Sequence, residues 1–84
     1  MDAGNKIDKR ALLPLYLQVA ALLRQRITSG ELSGMLPGQR KLAASYGVSP
    51  GTLIKALDVL KGEGLVESWK GRGTAVVRPG RRPE

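Results

Sequence analysis

The chain contains no cysteine and no histidine, and acidic residues are scarce, 7 against 14 lysines and arginines. Without cysteine there are no disulfides and no thiolate metal sites, and without histidine there is no imidazole for acid–base chemistry. The lack of cysteine leaves the compartment open and gives no reason to propose secretion. No apolar run approaches the roughly 20 residues of a membrane span. The first ten residues, Met1 to Arg10, are polar and mixed in charge, unlike a signal peptide. No base, nucleophile or metal-ligand set is visible. The expectation is therefore no catalytic residue, no metal, no cofactor, and a cytoplasmic location.

At 84 residues the chain suits one domain with a small core and no large enclosed pocket. Its net charge is +7, unevenly spread: residues 1–38 carry +2 and residues 39–84 carry +5. Such an excess attracts a polyanion, either nucleic acid or an anionic membrane.

Hydrophobic periodicity predicts three helices followed by a hairpin. Leu12, Tyr16, Val19, Ala20, Leu23 and Ile27 make one apolar face of a first helix over about Leu12 to Ser29, with Pro14 near its start and Gly30 as its stop. Arg24 and Arg26 on it are expected to be solvated, with a phosphate contact as the alternative. Met35 and Leu36 fit a very short edge strand. A second helix spans Gln39 to Tyr46 and stops at Gly47. A third begins after Ser49, a good N-cap, with Pro50 at its first position, and ends near Gly64. From there the period is two: Leu65–Trp69 and Thr74–Val77 read as strands joined by Lys70-Gly71-Arg72-Gly73. The expected fold is mainly α with a small β-hairpin, a winged helix-turn-helix of three helices and a two- to three-stranded wing. Residues 12–78 form that domain, 1–11 a flexible N-terminal arm, and 79–84 a linker or disordered tail.

Counting from Gln39, apolar residues fall at Leu42, Tyr46, Val48, Leu53 and Ala56. A small Ala43 allows a close helix crossing, and Gly47 supplies the left-handed turn. This is the spacing of a helix-turn-helix, whose second helix enters the DNA major groove N-terminus first. On that geometry Ser49, Pro50 and Gly51 form the tip. Gly51 and Lys55 point outward, with Thr52 and Ile54 on the flanks. Thr52 reads as a phosphate or base contact, or as a local cap partner of Ser49. Lys55 is placed to reach a base edge. Arg40 and Lys41 open the second helix, where a positive charge is locally unfavourable and phosphate would relieve it. Lys70 and Arg72, between glycines Gly71 and Gly73, suit a wing tip at the minor groove. Trp69 reads as a packing residue beneath the wing.

Several runs resemble the N-terminal domain of GntR-family bacterial regulators. These are Pro14-Leu15-Tyr16-Leu17-Gln18-Val19, Ser29-Gly30-Glu31-Leu32, Tyr46-Gly47-Val48-Ser49, Glu63-Gly64-Leu65-Val66 and Gly71-Arg72-Gly73-Thr74. The resemblance covers residues 12–78. It implies an operator-binding winged helix, a palindromic double-stranded DNA site bound by two copies, and a C-terminal effector-binding domain that helps dimerisation. It also implies DNA contacts for Arg40, for the tip Ser49 to Thr52 and for the wing Gly71 to Gly73. The chain departs from the family in four places. Gly38 and Lys41 stand where Ser and Glu are usual, so the reciprocal capping box is absent. Pro50 stands where Arg is common, and Ile54 where a basic residue is, so a different operator is expected. A protein-binding winged helix, or the DNA-reading head of an aminotransferase-like fusion, are the competing expectations.

Overall fold

The structure, a computed structural model, describes residues 7–8, 10–69, 71 and 73–77. In chain order it runs α1 (Leu15–Thr28), α2 (Gln39–Tyr46), α3 (Pro50–Gly62), β1 (Val66–Trp69) and β2 (Gly73–Val76). This is the expected mainly α winged helix-turn-helix. Lys70, Arg72 and residues 78–84 lie outside the described residues.

The first helix starts at Leu15, three residues later than the periodicity indicates, with Pro14 as its N-cap at φ −55° and ψ 147°. Proline disfavours helical backbone in the residue before it, so Leu13 cannot join the helix. Leu12 is accordingly 100% exposed and does not belong to the core face. The lead-in is held by Gln18, whose amide donates to the carbonyls of Asp8 (2.9 Å) and Leu13 (2.8 Å). Gln18 Oε1 also accepts the Asp8 N–H at 2.8 Å. Ile7 packs against the core.

Val19, Ala20, Leu23 and Ile27 of α1 are buried together with Leu53, Ala56, Leu57 and Leu60 of α3. Their spacing keeps each set on one helical stripe, so the two helices share a single core. Leu42, Ala43 and Tyr46 bring the short α2 onto it, and Val66 adds the base of the hairpin. Ala43 is almost fully buried, as a close helix crossing requires.

The hairpin is antiparallel, with Val66 opposite Val76, Ser68 opposite Thr74 and Trp69 opposite Gly73. β1 starts one residue later than the sequence-based expectation and ends where expected, and β2 is shifted one residue earlier. The ladder still extends one step further, since the Val77 N–H donates to the Leu65 carbonyl at 2.8 Å. Met35 forms an isolated bridge to Ala75 on the other side of β2. The Leu36 N–H donates to Thr74 O and the Val76 N–H to Gly34 O, both at 2.9 Å, which fastens the connector to the wing. Trp69 departs from its expected packing role and is 50% exposed. Strand alternation explains this: Val66 faces inward, so Trp69 three residues on faces outward.

Candidate nucleic-acid interface

The turn between α2 and α3 is built on Gly47, which sits in the left-handed region at φ 69°. That backbone lets the Gly47 N–H reach Ala44 O at 3.0 Å and the Val48 N–H reach Ala43 O at 3.1 Å, closing α2. Val48 then packs against the core, and Ser49 takes extended backbone at φ −76° and ψ 157°. Its hydroxyl oxygen accepts the Thr52 N–H at 3.1 Å, the expected N-cap. Pro50 occupies the first turn, where its missing N–H costs nothing.

The tip of α3 therefore stands clear of the core on a fixed turn. Ser49, Pro50 and Gly51 are exposed. A Cβ at Gly51 would meet only the Ser49 hydroxyl, at 3.9 Å, so an approaching surface can come close to the backbone there. Ser49 also donates its hydroxyl proton to Thr52 Oγ1 at 3.1 Å. Thr52 is thus a partner within the cap, and its own hydroxyl proton remains available to an outside acceptor. Lys55 is exposed as expected, with its ammonium 5.3 Å from the centre of the Tyr16 ring on α1. Ile54 is 42% exposed, leaving an apolar side chain beside the tip.

Arg40 and Lys41 are exposed in the first turn of α2. That turn holds no acidic residue, and its N-cap, Gly38, offers no side chain to the free N–H groups. In the wing, Gly71 (φ 77°) and Gly73 (φ 106°) bracket the tip in backbone conformations that favour glycine. Lys70 and Arg72, both expected to contact DNA, lie outside the described residues.

Two arginines depart from the sequence-based expectation. Arg24 is not merely solvated: its Nε and Nη2 donate to the two carboxylate oxygens of Glu63 at 2.8 and 2.6 Å. The hydrogen bond from Arg24 holds the Glu63 carboxyl below its ordinary pKa, and the bond to Glu63 raises that of Arg24. Arg26 donates to the Tyr46 hydroxyl at 2.7 Å and to Glu31 at 3.2 Å, tying the end of α1 to the end of α2. Arg24 finds its partner because α1 packs along α3, and Arg26 because the end of α2 and the connector after α1 lie beside it. Lys61 likewise pairs with Asp58 at 3.6 Å. Among the described residues, no acidic group pairs with Arg40, Lys41 or Lys55.

Tyr16 is the residue that the sequence reading missed at this surface. Its helical spacing marked it only as core, and nothing in sequence brings it to Lys55. A helix-turn-helix with an exposed, capped second helix, flanked by a glycine-bracketed hairpin, defines the winged helix-turn-helix class. Residues 15–76 match the family model for bacterial regulatory proteins of the gntR family. The chain belongs to the GntR family.

It is 40% identical over 75 residues to the HTH-type transcriptional repressor NagR of Bacillus subtilis, covering 87% of this chain and 31% of NagR. It is 37% identical to the B. subtilis HTH-type transcriptional regulator YdfD, covering 82% of this chain and 15% of YdfD. The chain thus spans about a third or less of these relatives. Among solved structures, the AraR DNA-binding domain in complex with operator ORE1 superposes with a TM-score of 0.74 at 31% identity, covering 86% of this chain and 90% of that one. YtrA of Sulfolobus acidocaldarius, a GntR-family transcription factor, gives 0.77 at 34% identity, covering 88% of this chain and 80% of that one.

Proposed function

We propose that this domain reads operator DNA for a bacterial transcriptional regulator that acts as a repressor, with α3 in the major groove and the wing at the minor groove. The observation that carries this reading is the distribution of paired and unpaired charge. Arg24, Arg26 and Lys61 are each neutralised by a carboxylate. Arg40, Lys41 and Lys55 on the exposed face of the helix-turn-helix have no carboxylate partner among the described residues. A surface whose internal acids are spent elsewhere keeps its cations for phosphate.

In this reading Arg40 and Lys41 hold the backbone of one strand. Ser49, Pro50, Gly51 and Thr52 enter the major groove as the tip, and Thr52 donates its hydroxyl proton. Lys55 reaches a base edge. An exposed cation–π contact is worth about 0.5–1 kcal/mol, less than the roughly 1–3 kcal/mol of a good base contact, so Tyr16 does not keep Lys55 from a guanine. Gly71 and Gly73 bring the wing close to the minor groove, where Lys70 and Arg72 meet the phosphates and the groove floor.

We place residues 12–78 in the DNA-binding domain, flanked by an arm at 1–11 and a linker at 79–84, and the whole in the cytoplasm at the nucleoid. Among the described residues no helix is long and apolar enough to cross a membrane. Two copies bind a palindromic operator, and an effector-binding domain follows the linker. The short share of NagR that is matched supports a further domain. A second reading has a larger, aminotransferase-like partner domain, and the 15% share of YdfD supports its size alone. The length of the parent reading frame separates the two.

Selection of bound sequences from random duplex DNA, followed by binding of the selected duplex across a salt series, tests the proposal. With roughly 4–6 phosphates neutralised per copy, log K falls with log salt at about −0.9 per contact. A flat salt dependence with no enriched sequence contradicts it and favours a protein-binding winged helix.

A further inference from the structure

Lys55 is exposed on α3, and an acid stands within reach along its own helix. Residues three apart on a helix are neighbours, and Asp58 holds that place. Yet Asp58 pairs with Lys61 on its other side, at 3.6 Å. The Lys55 ammonium lies instead over the ring of Tyr16, 5.3 Å from its centre. The cation is thus held by an aromatic face on a different helix, within the distance at which the ring quadrupole attracts it.

The two partners differ in freedom. Tyr16 sits in the first turn of α1, half-buried and packed against the core. Its ring is placed by the packing of α1 on α3, the same packing that buries Val19 and Leu23 with Leu53 and Leu57. Lys55 has a flexible four-carbon stem ending in a compact, strongly hydrated charge. Fixing such a side chain on binding costs conformational entropy, and a partner that orders it beforehand removes part of that cost. An ammonium has several donors, so a ring on one side leaves the others free for an outside acceptor.

We infer that Tyr16 is a positioning residue for sequence recognition, whose ring holds the Lys55 ammonium in place for one guanine edge. This rests on the operator-binding reading and deepens it, because part of the base preference is then set from α1, outside the helix-turn-helix. Without the ring, Lys55 is a mobile point charge that any nearby phosphate satisfies. With it, the ammonium is kept where guanine offers the O6 and N7 acceptors. Loss of the ring therefore lowers discrimination at one base pair while leaving attraction to the backbone largely unchanged.

A double-mutant cycle on the full chain tests this. Tyr16→Leu removes the ring and keeps an apolar side chain, Tyr16→Phe keeps the ring, and Lys55→Met removes the charge and keeps the stem. Fluorescence anisotropy compares a selected duplex with duplexes changed at each base pair in turn, with thermal unfolding of each variant alongside. Lys55→Met identifies the base pair that the lysine reads. Tyr16→Leu is expected to lower the preference at that base pair about two- to fivefold, the worth of an exposed cation–π contact, and to leave the other positions as in the parent. Tyr16→Phe is expected to keep the parent preference. In the Lys55→Met background, Tyr16→Leu is expected to change nothing at that position.

A loss spread evenly over all base pairs, or one of equal size with Lys55 already replaced, means that Tyr16 only supports the fold and overturns the positioning role. A loss in Tyr16→Phe as large as in Tyr16→Leu assigns the effect to the hydroxyl and overturns it too. The parent supplies a test that needs no variant to fold. Ring current should hold the Lys55 ε-methylene proton signal upfield, both in the free protein and in the complex. A return to the position of a free lysine on binding means that the side chain leaves the ring, and the inference fails while operator binding stands. If the parent ignores every duplex, the operator reading fails and the positioning role falls with it.

Discussion

Ser49 caps α3 and, in the proposed reading, also meets DNA, and substitution can pull the two apart. Its side chain makes the N-cap hydrogen bond of that helix, accepting the Thr52 N–H at 3.1 Å. Removing such a cap costs about 1 kcal/mol, within a range of roughly 0.5–2. In a domain of this size each kcal/mol moves the melting temperature by roughly 4–8 °C. Ser49→Ala should therefore melt about 4–8 °C below the parent. Aspartate caps as well as serine and suits the positive helix end, so Ser49→Asp should melt at or above the parent temperature. In the proposed reading the same aspartate places a negative charge against DNA, so it should weaken duplex binding at least tenfold at low salt. Calorimetry and anisotropy on the three proteins give the answer. If Ser49→Asp loses as much stability as Ser49→Ala, the cap reasoning is wrong. If it binds duplex like the parent, the tip does not face DNA.

Gly47→Ala should destabilise the domain by about 1–2 kcal/mol in urea titrations. A Cβ there meets nothing within 4 Å, so the cost is the left-handed backbone at φ 69° alone. Gly47→Asn should recover part of it. The Arg24–Glu63 pair is more than a third exposed on both sides, and Glu63→Gln should cost at most ~1 kcal/mol at neutral pH. Because Glu63 is held below its ordinary pKa, that contribution is present above the usual carboxylate range and is lost as pH falls through the folded value. Parent and variant should converge in acid unfolding, and a gap that widened there would contradict the sign. Arg40→Ala should weaken all duplexes alike, whereas Lys55→Ala should change which bases are preferred, by about 1–3 kcal/mol at one position. Sequence selection on both variants checks this, and the reverse pattern would exchange the two roles.

What was legible in sequence was local. The limits of α2 follow from a glycine able to take the left-handed turn at Gly47. The start of α3 follows from Ser49 and Pro50, whose chemistry is that of a cap and a first turn. The buried stripe at Leu53, Ala56, Leu57 and Leu60 needs only the helical period. The misses have two kinds of cause. Leu12 was drawn into α1 by spacing, although Pro14 forbids helix immediately before it; that signal was present and outweighed. Trp69, the only Trp and with no other aromatic near it in sequence, reads as a packing residue, although alternation from Val66 turns it outward. The others were not legible. Arg24 meets Glu63 across 39 residues of sequence, and Lys55 meets Tyr16, only because α1 lies across α3.

In the proposed reading one face of this domain, and not its ion-paired side, meets DNA. Amide chemical-shift mapping during titration of the full chain with a selected duplex tests it most directly. Large shifts are expected at Gln39–Lys41, at Ser49–Lys55 and at Gly71–Thr74. Small ones are expected around Arg24–Glu31 and Asp58–Glu63, where the cations are already paired. Shifts concentrated on Arg24, Arg26 and Lys61 instead, with the tip of α3 unmoved, would contradict it.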